Sequence, residues 1–369
     1  MTRPWARAAL CAGFVGWGAV LGAQPAPPPL AATAQRNACV QRRSVLDADA
    51  VPGLGRAQPV ALVPVEGGAL LAWLDTRGVV WAVSLDAEGV ALGAPQRVAE
   101  GASQMAVART PTGFAFAWVE GSRAVVLARR NARLEGQNVP RLVYTAPEGE
   151  SVAALQLGAL REALVLVWAQ PTARVVMALT TDTRGVPDRA AVQVAEGASP
   201  RLVRLPESDT TALLVEQPGG TAALTLGGDL STASRLRWPT GAVGPVELNA
   251  AVYTVQPMVT GQLLLMRAHT AGGIPATMPD LSAAPGLRPL GAHGAAGVVL
   301  ARAREPRGDR EVLVRLFPDG SSTRLGPFRG WRDDEPLTVG PDGVAWALQR
   351  EGAPHGAARP SVLRVQCPR

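Results

Sequence analysis

The sequence predicts an all-β chain in which one four-stranded sheet recurs about seven times, and three observations predict it. The first is a stretch that repeats: Ser84–Ser103 reads SLDAEGVALGAPQRVAEGAS and Thr180–Ser199 reads TTDTRGVPDRAAVQVAEGAS, 96 residues later. Asp86 aligns with Asp182, Gly89 with Gly185, Val98 with Val194, and Ala99–Ser103 with Ala195–Ser199. That offset is two units of 48, and a third segment of similar plan lies between the copies. The second observation is a series of short apolar runs, each closed by a turn: Ala69–Leu74, Phe114–Val119 and Ala163–Ala169. The third is a pair of cysteines, Cys39 and Cys367, at opposite ends of the patterned region. A period in the forties in a strand-rich chain marks a β-propeller, a ring of sheets packed face to face.

Met1–Ala23 reads as a secretory signal. Arg3 and Arg7 precede the apolar stretch Ala8–Gly22, and Leu21-Gly22-Ala23 suits cleavage. The stretch falls short of the roughly 20 apolar residues of a membrane span, so none is expected in the mature chain. The expected destination is export, to the periplasm, the cell surface or the medium. Residues 24–37 are rich in Pro and Ala and read as an extended linker. The propeller domain is expected over 38–369. After export Cys39 and Cys367 remain, in a compartment that favours disulfides.

Within the domain the first three blades are the clearest. Pro59–Val65, Ala69–Leu74, Val79–Leu85 and Gln96–Ala99 make the first. Gln104–Ala108, Phe114–Val119, Ala124–Ala128 and Arg141–Thr145 make the second. Val152–Leu157, Ala163–Ala169, Arg174–Leu179 and Ala191–Ala195 make the third. The second strand of each is apolar on both faces, as burial between two neighbouring blades requires. Trp73, Trp118, Trp168 and Trp346 read as one recurring position in it, filling gaps between sheets. Arg201–Leu205, Ala212–Glu216, Ala222–Leu226 and Leu236–Trp238 fit a fourth blade. Leu248–Val255 and Gln262–Ala268 open a fifth, but the Gly-, Pro- and Ala-rich tract Thr270–Pro289 hides its strands. Val298–Ala303, Glu311–Phe317 and Ser322–Leu325 belong to a sixth. Pro336–Val339, Val344–Gln349 and Val362–Cys367 give a seventh with three strands. The N-terminal Cys39–Leu46 completes that blade and brings Cys39 beside Cys367, where a disulfide would seal the ring.

The segments Ala72–Gly78 (AWLDTRG) and Leu85–Gly89 (LDAEG) resemble the second and third strands and turns of exported bacterial β-propeller repeat proteins of mostly unassigned function. The resemblance covers about half the chain. It implies a ring of sheets around a channel, with ligands on the face that carries the second-to-third strand turns and the blade-to-blade connections.

No catalytic motif stands out. Ser84–Gly89 comes nearest to the Asp-box of sialidases, but its Gly is one place late and no Trp follows. Gly101–Met105 fails the last position of a hydrolase nucleophile elbow. His269, His293 and His355 have no metal-site spacing, and no cofactor or metal is expected. Arg307-Gly308-Asp309 needs no receptor to explain it, since Gly between charges suits a hairpin tip. All 36 basic residues are Arg and the formal charge is +6, yet no stripe of interleaved Arg and aromatic residues argues for nucleic acid. The expected function is a monomeric, non-catalytic binding or scaffolding module for a protein or glycan. The alternative is a sialidase-like hydrolase without recognisable Asp-boxes. The residues expected on the binding face are Asp75, Arg77, Glu120, Arg123, Trp331, Arg332, Asp333 and Asp334.

Overall fold

The computed structural model describes residues 39–47, 51–56, 58–160, 163–205, 210–218, 220–226, 229–230, 232–238, 243–248, 251–257, 263–267, 274–276, 281–282, 288–293, 296–303, 310–327, 336–340, 342–351 and 359–366. They form seven antiparallel sheets. An opening strand, β1 (Val40–Val45), is followed by blade 1: β2 (Val60–Val65), β3 (Gly68–Leu74), β4 (Val80–Leu85) and β5 (Gln96–Ala99). Blade 2 holds β6 (Ala102–Thr110), β7 (Gly113–Glu120), β8 (Ala124–Asn131) and β9 (Arg141–Thr145). Blade 3 holds β10 (Ala153–Leu160), β11 (Ala163–Gln170), β12 (Val175–Asp182) and β13 (Val192–Glu196). Blade 4 holds β14 (Ala198–Leu205), β15 (Thr210–Gln217), β16 (Gly220–Leu226) and β17 (Thr232–Trp238). Blade 5 holds β18 (Val243–Leu248), β19 (Ala251–Pro257), β20 (Leu263–Arg267) and β21 (Ile274–Ala276). Blade 6 holds β22 (Leu281–Ser282), β23 (Arg288–His293), β24 (Ala296–Ala303), β25 (Arg310–Leu316) and β26 (Ser322–Pro327). Blade 7 holds β27 (Leu337–Val339), β28 (Ala345–Glu351) and β29 (Arg359–Gln366), with β1 as its outer strand. The fold is a seven-bladed β-propeller. The first strand of each blade is innermost: β2 approaches β6, β6 approaches β10, β10 approaches β14, and β23 approaches β27, which meets β2.

The two-sided burial of the second strands follows from their composition. All of β3 is buried, and so is β7 except at its ends. Alternate residues serve alternate neighbours: Ala69, Leu71 and Trp73 face blade 7, while Leu70, Ala72 and Leu74 face blade 2. Trp73, Trp118 and Trp168 each stand five residues into their strand, face the preceding blade and are at most 3% exposed. They are packing residues.

Trp346 departs from that phase. It shares a cluster with Leu71, Trp73 and Leu85 of blade 1, so it faces the following blade. The reason lies in the turn before β28. Blades 1 and 2 join their first two strands through two residues, with Val65 opposite Gly68 and Thr110 opposite Gly113. In blade 7 the Gly340 N–H donates to the Val344 carbonyl, leaving three residues between. One extra residue moves every side chain to the other face of a strand. Trp346 and Trp73 therefore meet at a single seam.

Closure is an antiparallel ladder from Val40 opposite Gln366 to Val45 opposite Ser361. Cys39 immediately precedes this ladder; Cys367 lies outside the described residues, as do residues 1–38. Two expectations are corrected. Leu248–Val255 is not one strand but spans a hairpin, with Leu248 of β18 opposite Ala251 of β19. The Gly- and Pro-rich tract does carry strands: β21 completes blade 5, and β22 and β23 both pair with β24. Pro and Gly had masked them because both are poor strand formers.

A second pattern runs around the opposite edge, at the turns between third and fourth strands. Asp86 Oδ1 accepts from the N–H groups of Glu88 and Val90, Asn131 Oδ1 from Arg133 and Glu135, and Asp182 Oδ1 from Arg184 and Val186. Each turn then takes a bond from the preceding blade. Ser44 Oγ donates to the Glu88 carbonyl (2.6 Å), Gln96 Nε2 to that of Arg133 (3.1 Å), Asn138 Nδ2 to that of Arg184 (3.1 Å) and Arg189 Nη1 to that of Asp229 (2.9 Å). The next residue always has positive φ: Gly89, Leu134, Gly185 and Leu230. Glycine is natural there, and leucine is strained by about 1 kcal/mol or more.

Volume explains the alternation. A Cβ on Gly89 would meet Val362 Cγ1 at 3.2 Å, and one on Gly185 would meet Leu127 Cδ2 at 3.1 Å. Strand register puts Ala82 and Ala178 at the Leu127 position in blades 1 and 3, opposite Ala72 and Val167. Leu134 and Leu230 fill the space those alanines leave and are only 3% and 5% exposed. Each of these four seams thus receives one large side chain, from the third strand or from the turn.

This complementarity is measurable. Leu134→Gly should lower stability by about 2–4 kcal/mol through a cavity, and Ala82→Leu by about 1–3 kcal/mol through overpacking. The double variant imports the pairing of the next seam, so urea unfolding should show a loss smaller than the sum by at least about 1 kcal/mol. Strict additivity would refute the pairing.

Candidate functional site

The turns between second and third strands share a face with the blade-to-blade connections. Ala102 N–H donates to the Gly78 carbonyl (2.9 Å), Val152 to Ser122 (2.8 Å), Ala146 to Arg123 (3.0 Å) and Gly197 to Arg174 (2.9 Å). Each turn is therefore sewn to the connection leaving its own blade. A side chain adds to this at the second blade. Gln104 Nε2 donates to the Val152 carbonyl (2.7 Å) and its Oε1 accepts from the Leu155 N–H (3.1 Å), locking β6 to the start of blade 3.

Asp75 is used up within its own turn. Its Oδ1 accepts from the N–H groups of Arg77 and Val79, and its Oδ2 from Trp81 Nε1 and from Arg77 Nε and Nη2. The residue is 5% exposed. Burial raises the carboxyl pKa, but these donors outweigh it and hold the group below its ordinary value. Arg77 reaches outward, its side chain 71% exposed while paired to Asp75 at 3.2 Å. Glu120 is exposed and accepts from Trp118 Nε1 (3.1 Å). Arg123 is exposed and donates through Nε and Nη2 to the Ala146 carbonyl (3.1 and 2.6 Å). Of the expected face residues, Asp75 builds the turn, and Arg77, Glu120 and Arg123 project from turns of neighbouring blades. Trp331, Arg332, Asp333 and Asp334 lie outside the described residues, as does Arg307-Gly308-Asp309.

Sequence reasoning missed two groups. Gln104 lies beside the repeated Ala-Glu-Gly-Ala-Ser stretch, which could have drawn attention to it. Tyr144, Trp168 and Gln170 meet between blades 2 and 3: the two rings are 4.5 Å apart and Gln170 Nε2 donates to Tyr144 Oη (2.7 Å). Burial, with Glu150 nearby, raises the Tyr144 pKa against the pull of Gln170. Two strands from two blades contribute, so no local pattern shows the cluster. Among the described residues no group of three His, Cys, Asp or Glu is placed to hold a metal ion.

No protein-family model and no curated protein matches the sequence. Solved structures do. An oligogalacturonate lyase in complex with manganese is 13% identical, covering 90% of this chain and 98% of its own, with a TM-score of 0.53. A lectin from Burkholderia pseudomallei is 12% identical over 84% of this chain and 95% of its own, with a TM-score of 0.52. The WD40 domain of SCAP from fission yeast is 8% identical over 88% and 87%, with a TM-score of 0.51. At such identities the likeness is one of fold: the neighbours are β-propellers too. The ring carries binding and catalysis alike in them, so function must be argued from this chain's own residues.

The Asp75 turn gives a pH-dependent prediction. A carboxylate with a depressed pKa stabilises the fold fully above about pH 4, and that contribution is lost as pH falls through the folded-state value. Asp75→Asn should cost about 1–3 kcal/mol at pH 7, because an amide N–H₂ would face the Trp81 and Arg77 donors. The gap from the parent protein in urea unfolding should shrink by pH 3. A gap that grows at low pH would contradict the assignment.

Proposed function

We propose that the chain is an exported, non-catalytic β-propeller that binds a protein or glycan partner through its loop face. The observation that carries this reading is the division of labour at the turns. Asp75 satisfies the backbone of its own turn, and Arg77, Glu120 and Arg123 are each anchored at one point, to Asp75, to Trp118 and to the Ala146 carbonyl, so they project from rigid supports. A preorganised rim of mixed charge suits recognition, because little conformational entropy is lost on binding. The apolar leader supports export, and the mature chain is read as a monomer without a cofactor. The experiment is capture from native envelope extracts together with a glycan array. The triple variant Arg77→Ala, Glu120→Ala, Arg123→Ala should lose at least ten-fold in affinity for whatever the parent protein retains. Retention that the triple variant leaves intact rejects this face, and cleavage of an arrayed glycan would favour the hydrolase reading.

Export also bears on Cys39. The reading is a Cys39–Cys367 disulfide that ties the chain ends. It is supported by the ladder that ends with Val40 opposite Gln366, one residue short of each cysteine, and by the disulfide-bonded state of Cys39. Cys39→Ser should lower stability by about 2–5 kcal/mol under oxidising conditions and by little in reductant. Two free thiols in the mature protein would reject the bridge.

A further inference from the structure

Strand register lays one row of residues across blade 7: Trp346 of β28, Arg364 of β29 and Arg42 of β1 stand directly opposite one another. Residues so paired share one face of the sheet, with neighbouring Cβ atoms about 4.5–5.5 Å apart. Trp346 packs into the seam with blade 1, so this is the face turned to blade 1. The rows that start from Trp73, Trp118 and Trp168 continue with Trp81 and Arg97, with Val126 and Leu142, and with Met177 and Gln193. Each of those rows holds at most one charge. Blade 7 instead sets two arginines side by side, and like charges directly opposite are destabilising.

The pair is poorly answered by the chain itself. Arg42 stands 3.8 Å from Glu88 Oε1, beyond hydrogen-bond reach, and the two side chains are 57% and 56% exposed. An ion pair so wet contributes little. Arg364 lies over the Trp346 ring, 6.0 Å from its centroid. Its Nε is buried without a hydrogen-bond partner among the described residues, and so is Nε1 of Trp346 beneath it. Neighbouring groups show the usual outcome. Trp73 Nε1, in the same seam, donates to the Pro52 carbonyl, and on the outer edge Arg43 donates to Ser361 Oγ, Arg97 to Glu100 and Arg184 to Asp182. Two guanidinium groups therefore meet on the rim, with one distant carboxylate beside them and an unanswered N–H below.

We infer that Arg42 and Arg364 together bind a tetrahedral oxyanion, a phosphate or sulfate group, at the outer rim between blades 7 and 1. Each arginine carries a planar fork of N–H donors that matches such a group with paired, charge-assisted hydrogen bonds. A tetrahedral oxyanion has oxygens enough to take both forks at once, whereas a carboxylate has two in all. The ring of Trp346 holds the Arg364 guanidinium by a cation–π contact before the ion arrives. Arg42 belongs to the first strand and Arg364 to the last, so the bound group clasps the ladder that closes the ring. Glu88 places the site at the edge opposite the loop face, and the inference does not depend on the function proposed above.

The test is calorimetric titration and thermal unfolding of the mature chain with sodium phosphate, sodium sulfate and glucose 6-phosphate, against sodium acetate and sodium chloride at matched ionic strength. The tetrahedral oxyanions should bind and raise the melting temperature as their concentration rises, and acetate and chloride should not. Arg42→Gln should weaken phosphate by about five-fold or more and remove most of the rise. In phosphate-free buffer the same variant should melt no lower than the parent, because two like charges are separated. A lower melting temperature there would make Arg42 a structural residue and overturn the site. Glu88→Gln should tighten phosphate about two-fold, because a competing carboxylate is gone. Arg133→Gln, on the rim of blade 2, should change nothing. Arg364→Gln should weaken phosphate as Arg42→Gln does. Should it not fold for want of the contact with Trp346, Arg42→Gln at its exposed position decides alone. Glucose 6-phosphate binding at least as tightly as phosphate supports the site with an ester-borne group as its ligand, and weaker binding supports it with the free ion. Absence of oxyanion binding, an equal effect of acetate or chloride, or phosphate binding that Arg42→Gln leaves intact overturns the inference.

Discussion

The filling of the gap between neighbouring sheets is the constraint on which this ring depends. Packed sheets stay about 10 Å apart, so each seam has a nearly fixed volume. A void forfeits dispersion contacts and an excess forces side chains off their rotamers. The chain meets this at the outer turns by pairing sizes across seams: Val362 with Gly89, Ala82 with Leu134, Leu127 with Gly185, Ala178 with Leu230. The large partner changes sides from one seam to the next. Over blades 1 to 4 volume therefore repeats every two blades, although backbone geometry repeats every blade; blade 6, with Gly320 at the same turn position, stands outside that alternation. This accounts for the 96-residue offset of the strongest internal likeness: blades 1 and 3 carry glycine at the turn, and blades 2 and 4 carry leucine.

The same constraint governs closure. A ring has one join that the chain must find without covalent continuity, and here it lies inside blade 7, between β29 and β1, beside the seam between blades 7 and 1. The three-residue turn before β28 rotates Trp346 into that seam, where Trp73 already stands. Leu46, Val51 and Leu54, from the segment linking β1 to β2, enter the same cluster, and Trp73 Nε1 donates to the Pro52 carbonyl (2.9 Å). Two indoles and the linking segment give this seam a large apolar area, of the kind that stabilises by about 25 cal/mol per Å² removed from water. The β1–β29 ladder then supplies the fourth strand of blade 7 and ties the first strand to the last through backbone hydrogen bonds.

Legibility in the sequence followed the locality of the signal. Apolar runs such as Ala69–Leu74 and turn signatures such as Leu85–Gly89 depend on adjacent residues, so the first three blades and the three-strand last blade could be read directly. The completing role of β1 could be inferred because a three-strand remainder needs a fourth. Blade 5 could not be read: Pro245, Pro257 and Pro275 sit within strands whose pairing is decided by neighbours in space. Nor could the phase of Trp346, since one residue in a turn separates the two faces and both readings leave the strand apolar.

The site was less legible because a charged residue in a loop carries the same letter whether it builds the loop or serves a ligand. Asp75 and Asp86 show the building role, for each carboxylate satisfies the N–H groups of its own turn. Such aspartates recur because the turn recurs, and recurrence around a ring is the signature of construction. A ligand lacks the ring's symmetry, so residues that serve it should break the repeat. In a repeated fold, departure from the repeat at a position whose geometry is retained is the stronger guide to function.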